Sequence, residues 1–419
     1  MKPSSWRRHR VRSLTPLLMV GLLIASCGGE SEEDEAPETG ADAGSNFDPE
    51  NCRLDGNVTI VGGEQQGLEK YCEVAGNVEV IWQPGQPPIT DDDIEQLRNV
   101  HTIQGVLYVS GTALESLEGL RSLQVVASDV VIDSNGSLSN VYGLQKLKKI
   151  GGLLAILQHS VLTDLTALES LEEVGTGIKI EDNLALQNMD SLQFIGAVSH
   201  SVTIRNNPKL KSLKGLTSLH DAGSKGLTIE GNHLISHDEG LDSLEASGQE
   251  LIIRNNDNLL VLTRLKSLEH VVKIEISGNE ALEGIDGFGK LSQVDHVSIS
   301  DNKALKQIQG FSSVPYLATI EIKKNKWLQQ LTAFANLKVA TSIWLEDNQN
   351  LSEVRFNTLG TVDTLALINN DAFGNFKGFL PLKIIHTLKI CGKSALSKPA
   401  IDDFIKSRHD PKPTLVGCD

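Results

Sequence analysis

The sequence predicts a mainly β solenoid of about 13–14 coils, roughly 23–24 residues each, with short terminal helices. Three observations predict it. The first is a phrase repeated over most of the 419 residues. One clear copy, VTIRNNPKLKSLKGLTSL, occupies residues 202–219, and others begin at Ile180, Ile274 and Val297. The second is an asparagine slot filled by Asn135, Asn183, Asn207, Asn232, Asn256, Asn279, Asn302, Asn325, Asn348 and Asn370, with Thr112, His159 and Lys393 in the same frame. From Thr112 to Lys393 is 281 residues in 12 steps, about 23.4 per step, and a fixed period in this range marks a stacked repeat. The third is an apolar–x–apolar triplet just before each slot, such as Val202-Thr203-Ile204, Ile274-Glu275-Ile276 or Ile320-Glu321-Ile322. Period-two alternation in β-branched residues reads as a short strand with one face buried.

One such coil cannot bury its apolar side alone, so neighbours must stack strand beside strand at about 4.8 Å, giving a rod on the order of 65 Å long. Three residues past each asparagine comes a further apolar residue (Leu186, Leu210, Leu259, Leu282, Leu305, Leu328) that completes the core side of the coil. The asparagines themselves fit a structural ladder. A turn amide can bond backbone groups of its own and the adjacent coil, which meets the need of buried peptide groups for partners. Gly119, Gly143, Gly215, Gly240, Gly287, Gly310 and Gly378 are expected at bends that require positive φ.

Residues 1–26 read as a leader: Lys2, Arg7, Arg8, Arg10 and Arg12 precede an apolar run over residues 14–25 that is too short to span a bilayer. The run ends Leu23-Ile24-Ala25-Ser26-Cys27-Gly28, which resembles the bacterial lipobox. The resemblance implies a lipidated Cys27 and a membrane anchor. Gly28 after that cysteine resembles the outer-membrane-sorting form of the signal, with the cell-surface and periplasmic faces both open. Residues 27–50 add a linker with nine acids and no bases, a composition that cannot collapse and self-repels. Removing residues 1–26 moves the formal charge from −16 to −21. Such an acidic chain has no electrostatic footprint for nucleic acid.

Four of the five cysteines remain beyond Cys27, paired at the two ends: Cys52 with Cys72, and Cys391 with Cys418. An even remainder in an exported chain reads as disulfides, placed where terminal coils lack a neighbour and need capping. Residues 51–110 form the N-terminal cap and first coils, 111–393 the solenoid, and 394–419 the C-terminal cap. In the first of these, Thr90 is an N-cap ahead of Asp91, Asp92 and Asp93, with Ile94, Leu97 and Val100 facing inward. In the last, Ser397-Lys398-Pro399 starts a helix that turns Ile401, Phe404 and Ile405 onto the final coil.

The run from Cys72, CEVAGNVEVI, and the later HTIQGVLYV from His101 resemble the opening coils of the receptor L domain, the ligand-binding domain of insulin- and epidermal-growth-factor-type receptors. That family is related in outline to leucine-rich repeats, and the resemblance implies a right-handed β-helix placed outside the cytoplasm. A family L domain has about half as many coils and is accompanied by a cysteine-rich module, a transmembrane helix and a kinase. None of these is recognisable here, so growth-factor signalling is not implied.

Candidate chemistry is sparse. His233, His237, Asp238 and Glu239 share the one coil with a 25-residue step, but they read as a solvated loop without the ligand count and geometry of a metal site. Asp91, Asp92 and Asp93 lack the spacing and glycine of a calcium loop. No hydrolase, metalloprotease, phosphate-loop or dinucleotide motif occurs, and neither catalytic residue nor cofactor is assigned. The outward strand face is more informative. Its middle residues are mostly Thr, Lys, Glu and Ser, but near the N-terminal end they become Tyr108, Val131, Leu153, Ala155 and Leu157, with Ile252 and Trp344 as isolated exceptions. Adjacent outward apolar residues make a contiguous patch, and such patches mark interaction sites. Tyr108, Val131, Leu153 and Leu157 are therefore the candidate ligand-binding residues. The sequence thus reads as a non-enzymatic envelope recognition protein that binds a protein or glycan. The rival is a structural or adhesive envelope component without a soluble ligand.

Overall fold

The alternating triplets form strands, and the strands line up. A computed structural model of the chain describes residues 52–407 and 412–417; the leader, Cys27, the acidic linker and Cys418 lie outside the described residues. Sixteen parallel strands, from Val58–Ile60 to Thr414–Val416, pair in sequence order into one long sheet. Register is set by burial. Val202 and Ile204 sit beside Ile178 and Ile180, all at most 1% exposed, while Thr203 between them faces out. A one-residue slip would turn the core set to solvent.

Sixteen strands exceed the 13 slots because Val58–Ile60, Val78–Ile81 and Thr414–Val416 carry no slot. The first two steps, Val58 to Val78 and Val78 to Leu107, are 20 and 29 residues and fall outside the fixed period. The longer one holds a helix at Asp91–Ile94, continued as a 3-10 turn over Glu95–Leu97, with Ile94, Leu97 and Val100 buried. Two further parallel ladders on other sides of the coil have no counterpart in the sequence reading. One has six two-residue strands from Arg53–Leu54 to Glu173–Val174, and the other five from Val261–Leu262 to Glu353–Val354. Each contributes only a dipeptide per coil, too short for alternation to register.

Asparagine closes ten of the 13 coils that carry the slot. All ten asparagines are at most 1% exposed. The Asn207 amide donates to the Ile180 carbonyl at 2.9 Å, and its Oδ1 accepts from the Asn183 N–H at 3.2 Å. The pattern repeats to Asn370, which donates to Leu345 and accepts from Asn348. Each side chain therefore satisfies one donor and one acceptor of the preceding coil. The residue just before each slot is left-handed, from Gly111 at φ 65° through Ser134, Gln158 and Asp182 to Gly392 at 68°. Gly, Asn or Asp fills most of that column, the types that adopt this conformation most readily.

The glycine expectation holds only in part. Gly143, Gly240 and Gly310 have positive φ, but Gly119, Gly215, Gly287 and Gly378 do not. At Gly119, Gly215 and Gly378 a side chain would strike the carbonyl of Ile94, Met189 or Val354 in the preceding coil. Close packing between coils, not backbone conformation, requires glycine there.

Opposite the long sheet the core changes along the chain. Leu120, Leu144, Leu168, Leu192, Leu216, Leu241 and Leu265 occupy one column, continued by Phe288, Phe311, Phe334, Phe356 and Phe379. Successive rings stack with centroids 4.6, 5.2, 6.0 and 5.1 Å apart, close to the spacing between rungs. The helix Lys398–Lys406 ends the core, with Ser397 Oγ accepting from the Ala400 N–H and Phe404 stacked 3.9 Å from Phe376. Ile401 and Ile405 pack beside it. At the other end Cys52 and Cys72 are bridged with Cα atoms 5.2 Å apart. Cys391 is also disulfide-bonded.

Asn279→Ala strands the Ile253 carbonyl and the Asn256 N–H. The loss is expected to be on the order of 2–4 kcal/mol. Because stability in stacked repeats is largely a nearest-neighbour sum, hydrogen exchange should rise first in the coils flanking residue 279 rather than uniformly.

Candidate functional site

Because the long sheet repeats in register, every third-column choice in the sequence becomes a line on one surface. The central outward column runs Thr59, Glu79, Tyr108, Val131, Ala155, Lys179, Thr203, Thr228, Ile252, Glu275, Ser298, Glu321, Trp344, Ala366, Lys389 and Val416. The face divides into three stretches of different chemistry.

The N-terminal stretch is apolar. Tyr108 pairs with Val131 and Val131 with Ala155, while Leu153 and Leu157 flank Ala155 two residues away on the same face. Tyr108, Val131, Leu153 and Leu157 are all partly exposed and fall on three successive rungs: Tyr108 is the direct neighbour of Val131, and Leu153 and Leu157 lie diagonally from Val131 on the next rung, where Leu157 pairs with Asp133. Ala155 is only 2% exposed and forms the floor between them. The patch ends where Lys179 and Glu181 pair at 3.1 Å on the next rung.

The middle stretch is neutralised from within. Arg205 and Arg254 both reach Glu230, at 3.0 and 2.9 Å, and Lys273 reaches Glu275 at 3.1 Å. The Lys273 neighbourhood raises its pKa through its bonds with Glu275, while Glu275 is held below the usual carboxylate range by the same contact, against burial in both cases. Such exposed pairs add little stability, but they leave few charges free for a partner. The C-terminal stretch centres on Trp344, an isolated apolar exception along the sequence. Lys323 and Lys389 each place their ammonium within cation–π distance of its ring, 5.6 and 5.8 Å from the centroid. Only the register brings these three together.

The residues tested for metal chemistry do not converge. His233 bonds Asp257 at 2.9 Å and His237 bonds Ser236 at 2.9 Å. Asp238 turns inward instead, 1% exposed, with one oxygen accepting from the Thr263 and Arg264 N–H groups at 2.7 Å each. Burial raises its pKa above the usual carboxylate range. Asp93 likewise accepts from the N–H groups of Gly63 and Thr90, both at 2.8 Å, as a structural cap. A surface hollow of about 460 Å³ lies off the strand face between Glu353, Arg355, Asn357, Asn375 and Lys377. Its principal charges, Glu353 and Arg355, neutralise each other.

His159 breaks the ladder from inside. Its Nε2 lies 3.2 Å from the Ile132 carbonyl, where an asparagine amide would donate, and its Nδ1 lies 3.3 Å from the Asn135 carbonyl. A neutral ring has one N–H for these two acceptors and offers no oxygen to the Asn135 N–H. Burial lowers the pKa, outweighing the two carbonyls that favour the charged form.

Comparison with known proteins gives one family match over part of the chain and several likenesses to solved structures. Residues 71–151 match the model of the receptor L domain family. A leucine-rich-repeat protein of Leptospira interrogans is 16% identical, with 83% of this chain and 90% of that one covered and a TM-score of 0.23. A leucine-rich cell surface protein of Faecalibacterium prausnitzii is 12% identical over 78% and 89%, TM-score 0.21. A leucine-rich-repeat protein of Bacteroides ovatus is 14% identical over 86% and 88%, TM-score 0.19. No curated protein sequence matches the chain. Residues 71–151 are thus similar to the receptor L domain, and the described residues as a whole form a parallel β solenoid.

His159→Asn is expected to stabilise the chain by completing the ladder. The pH dependence fixes the sign. The folded-state pKa lies below the ordinary value of about 6.5, so stability is full above that value and is lost as pH falls towards the folded pKa. Denaturation between pH 7.5 and 5.5 should therefore show a decline in the wild type that is smaller in the variant. Equal declines would remove His159 as its source.

Proposed function

We propose that the chain is a non-enzymatic recognition protein of the bacterial cell envelope. Lipidated Cys27 and the acidic linker tether a solenoid that holds a protein partner against the apolar stretch of its strand face. The observation that carries this reading is the contiguity of Tyr108, Val131, Leu153 and Leu157 over the buried Ala155, on a face whose next stretch is charge-paired. An exposed apolar cluster of this kind gains by being covered, and an aromatic side chain beside aliphatic ones supplies contact area at low entropic cost. Recognition would work by shape and side-chain complementarity on a rigid array, without a cofactor.

Leu157→Asp and Tyr108→Ala are expected to weaken partner binding by about 2 kcal/mol each, on the order of thirtyfold, with unchanged circular dichroism. The measurement is cross-linking in intact cells, where the same adduct should be depleted in both variants. Undiminished adducts would refute the patch, and an adduct of twice the chain mass would identify self-association and favour the structural alternative.

Placement is tested by protease shaving of intact cells, using a C-terminal tag and a periplasmic control. Loss of the tag with the control intact is expected for a surface receptor. Protection until the outer membrane is broken would point to a periplasmic scaffold.

A further inference from the structure

We infer that the C-terminal third of the strand face is a separate binding site for an anionic glycan, centred on Trp344. It involves different residues from the N-terminal patch and does not rest on that reading.

Four successive rungs, beginning Thr319, Ser342, Thr364 and Thr387, build the site as a grid. The central column reads Glu321, Trp344, Ala366 and Lys389 in register. Two residues earlier on each strand comes an unbroken row of hydroxyls, Thr319, Ser342, Thr364 and Thr387, continued by Thr414 on the last strand. All five are partly or fully exposed. Ser342 donates to Thr319 at 3.4 Å, a long bond that leaves the row's hydrogen-bonding capacity available. An indole edged by a line of hydroxyls matches the two surfaces of a sugar ring, one of C–H groups and one of hydroxyls. Ala366 is 0% exposed although it belongs to the outward column, so its larger neighbours roof it and the surface there is continuous.

The two lysines supply the charge preference, and they are not equivalent. Lys323 is held by Glu321 at 3.1 Å and lies 3.9 Å from Glu346. Lys389 forms no ion pair with a carboxylate among the described residues; its ammonium rests 5.8 Å from the indole centroid. A cation parked on an aromatic face is weakly held when exposed, and a carboxylate or sulfate offers it a charge-assisted hydrogen bond instead. Lys389 swinging to an acidic sugar would free the part of the ring it covers, while Lys323 stays beside the ring with Glu321. With a formal charge of −16 the chain repels polyanions in general, so binding one requires a local arrangement of this kind.

The test is affinity electrophoresis of the full chain through gels containing polygalacturonate, alginate or heparin, with dextran as the neutral comparison. Retardation by at least one acidic polysaccharide and none by dextran is expected. Trp344→Ala and Lys389→Gln should each weaken it at least tenfold, and Thr203→Ala, on the same column outside the grid, should not. Lys389→Gln removes the charge at a partly exposed position without emptying the core, so it decides the matter if Trp344→Ala fails to fold. No retardation by any of the three polyanions, equal retardation by dextran, or full binding by Lys389→Gln would overturn the assignment.

Discussion

Everything in this molecule depends on peptide groups that are buried at each turn of the coil and must find partners there. A solenoid has no surplus of water at that corner, and an unpaired N–H or carbonyl would cost as much as the packing of the neighbouring leucines gains. The asparagine side chain solves the problem for the coil before it, as Asn207 does for Ile180 and Asn183. The left-handed residue just ahead of each slot aims it, and the strand just before that takes its register from the same alignment. The composition of the outward face is then nearly independent of what holds the coil together.

That separation explains which features were legible in the sequence. The slot, the triplet and their period are under the strictest physical demand, and they repeat visibly enough to give the fold and its stacked strands, while the two terminal helices were legible from their caps at Thr90 and Ser397. Less visible were requirements met by two residues or by one atom. The dipeptide ladders at Glu73–Val74 and Val261–Leu262 carry too few residues to alternate. Gly119 and Gly378 are glycine because of a carbonyl one coil away, which no local pattern encodes. The phenylalanine column was present in the frame, yet Phe288, Phe311 and Phe334 substitute for leucines that occupy the same position, so nothing in the period changes where it begins.

The candidate sites follow the same division. Tyr108, Val131, Leu153 and Leu157 could be read from the sequence because all four break the polar habit of outward positions within three rungs. Trp344 was equally unusual but looked solitary. Its companions Lys323 and Lys389 are ordinary residues at outward positions, 21 and 45 residues away, and only the stacked register makes them neighbours. Polar residues of the loop around His233 and Asp238 attracted attention for the opposite reason. They are close in sequence but point to different partners, one to Asp257 and one into the core.

The slots lie 22 to 25 residues apart, yet register shifts only between Ile368 and Asn370 in the long sheet. Gains and losses of a residue are absorbed around the back of the coil, where short 3-10 turns and bends accommodate them. The strand face thus behaves like a fixed grid of sockets, about 4.8 Å from row to row, whose contents can be exchanged one socket at a time. A lineage carrying such a chain could change what its surface recognises, or add a second specificity at the far end, without renegotiating the fold.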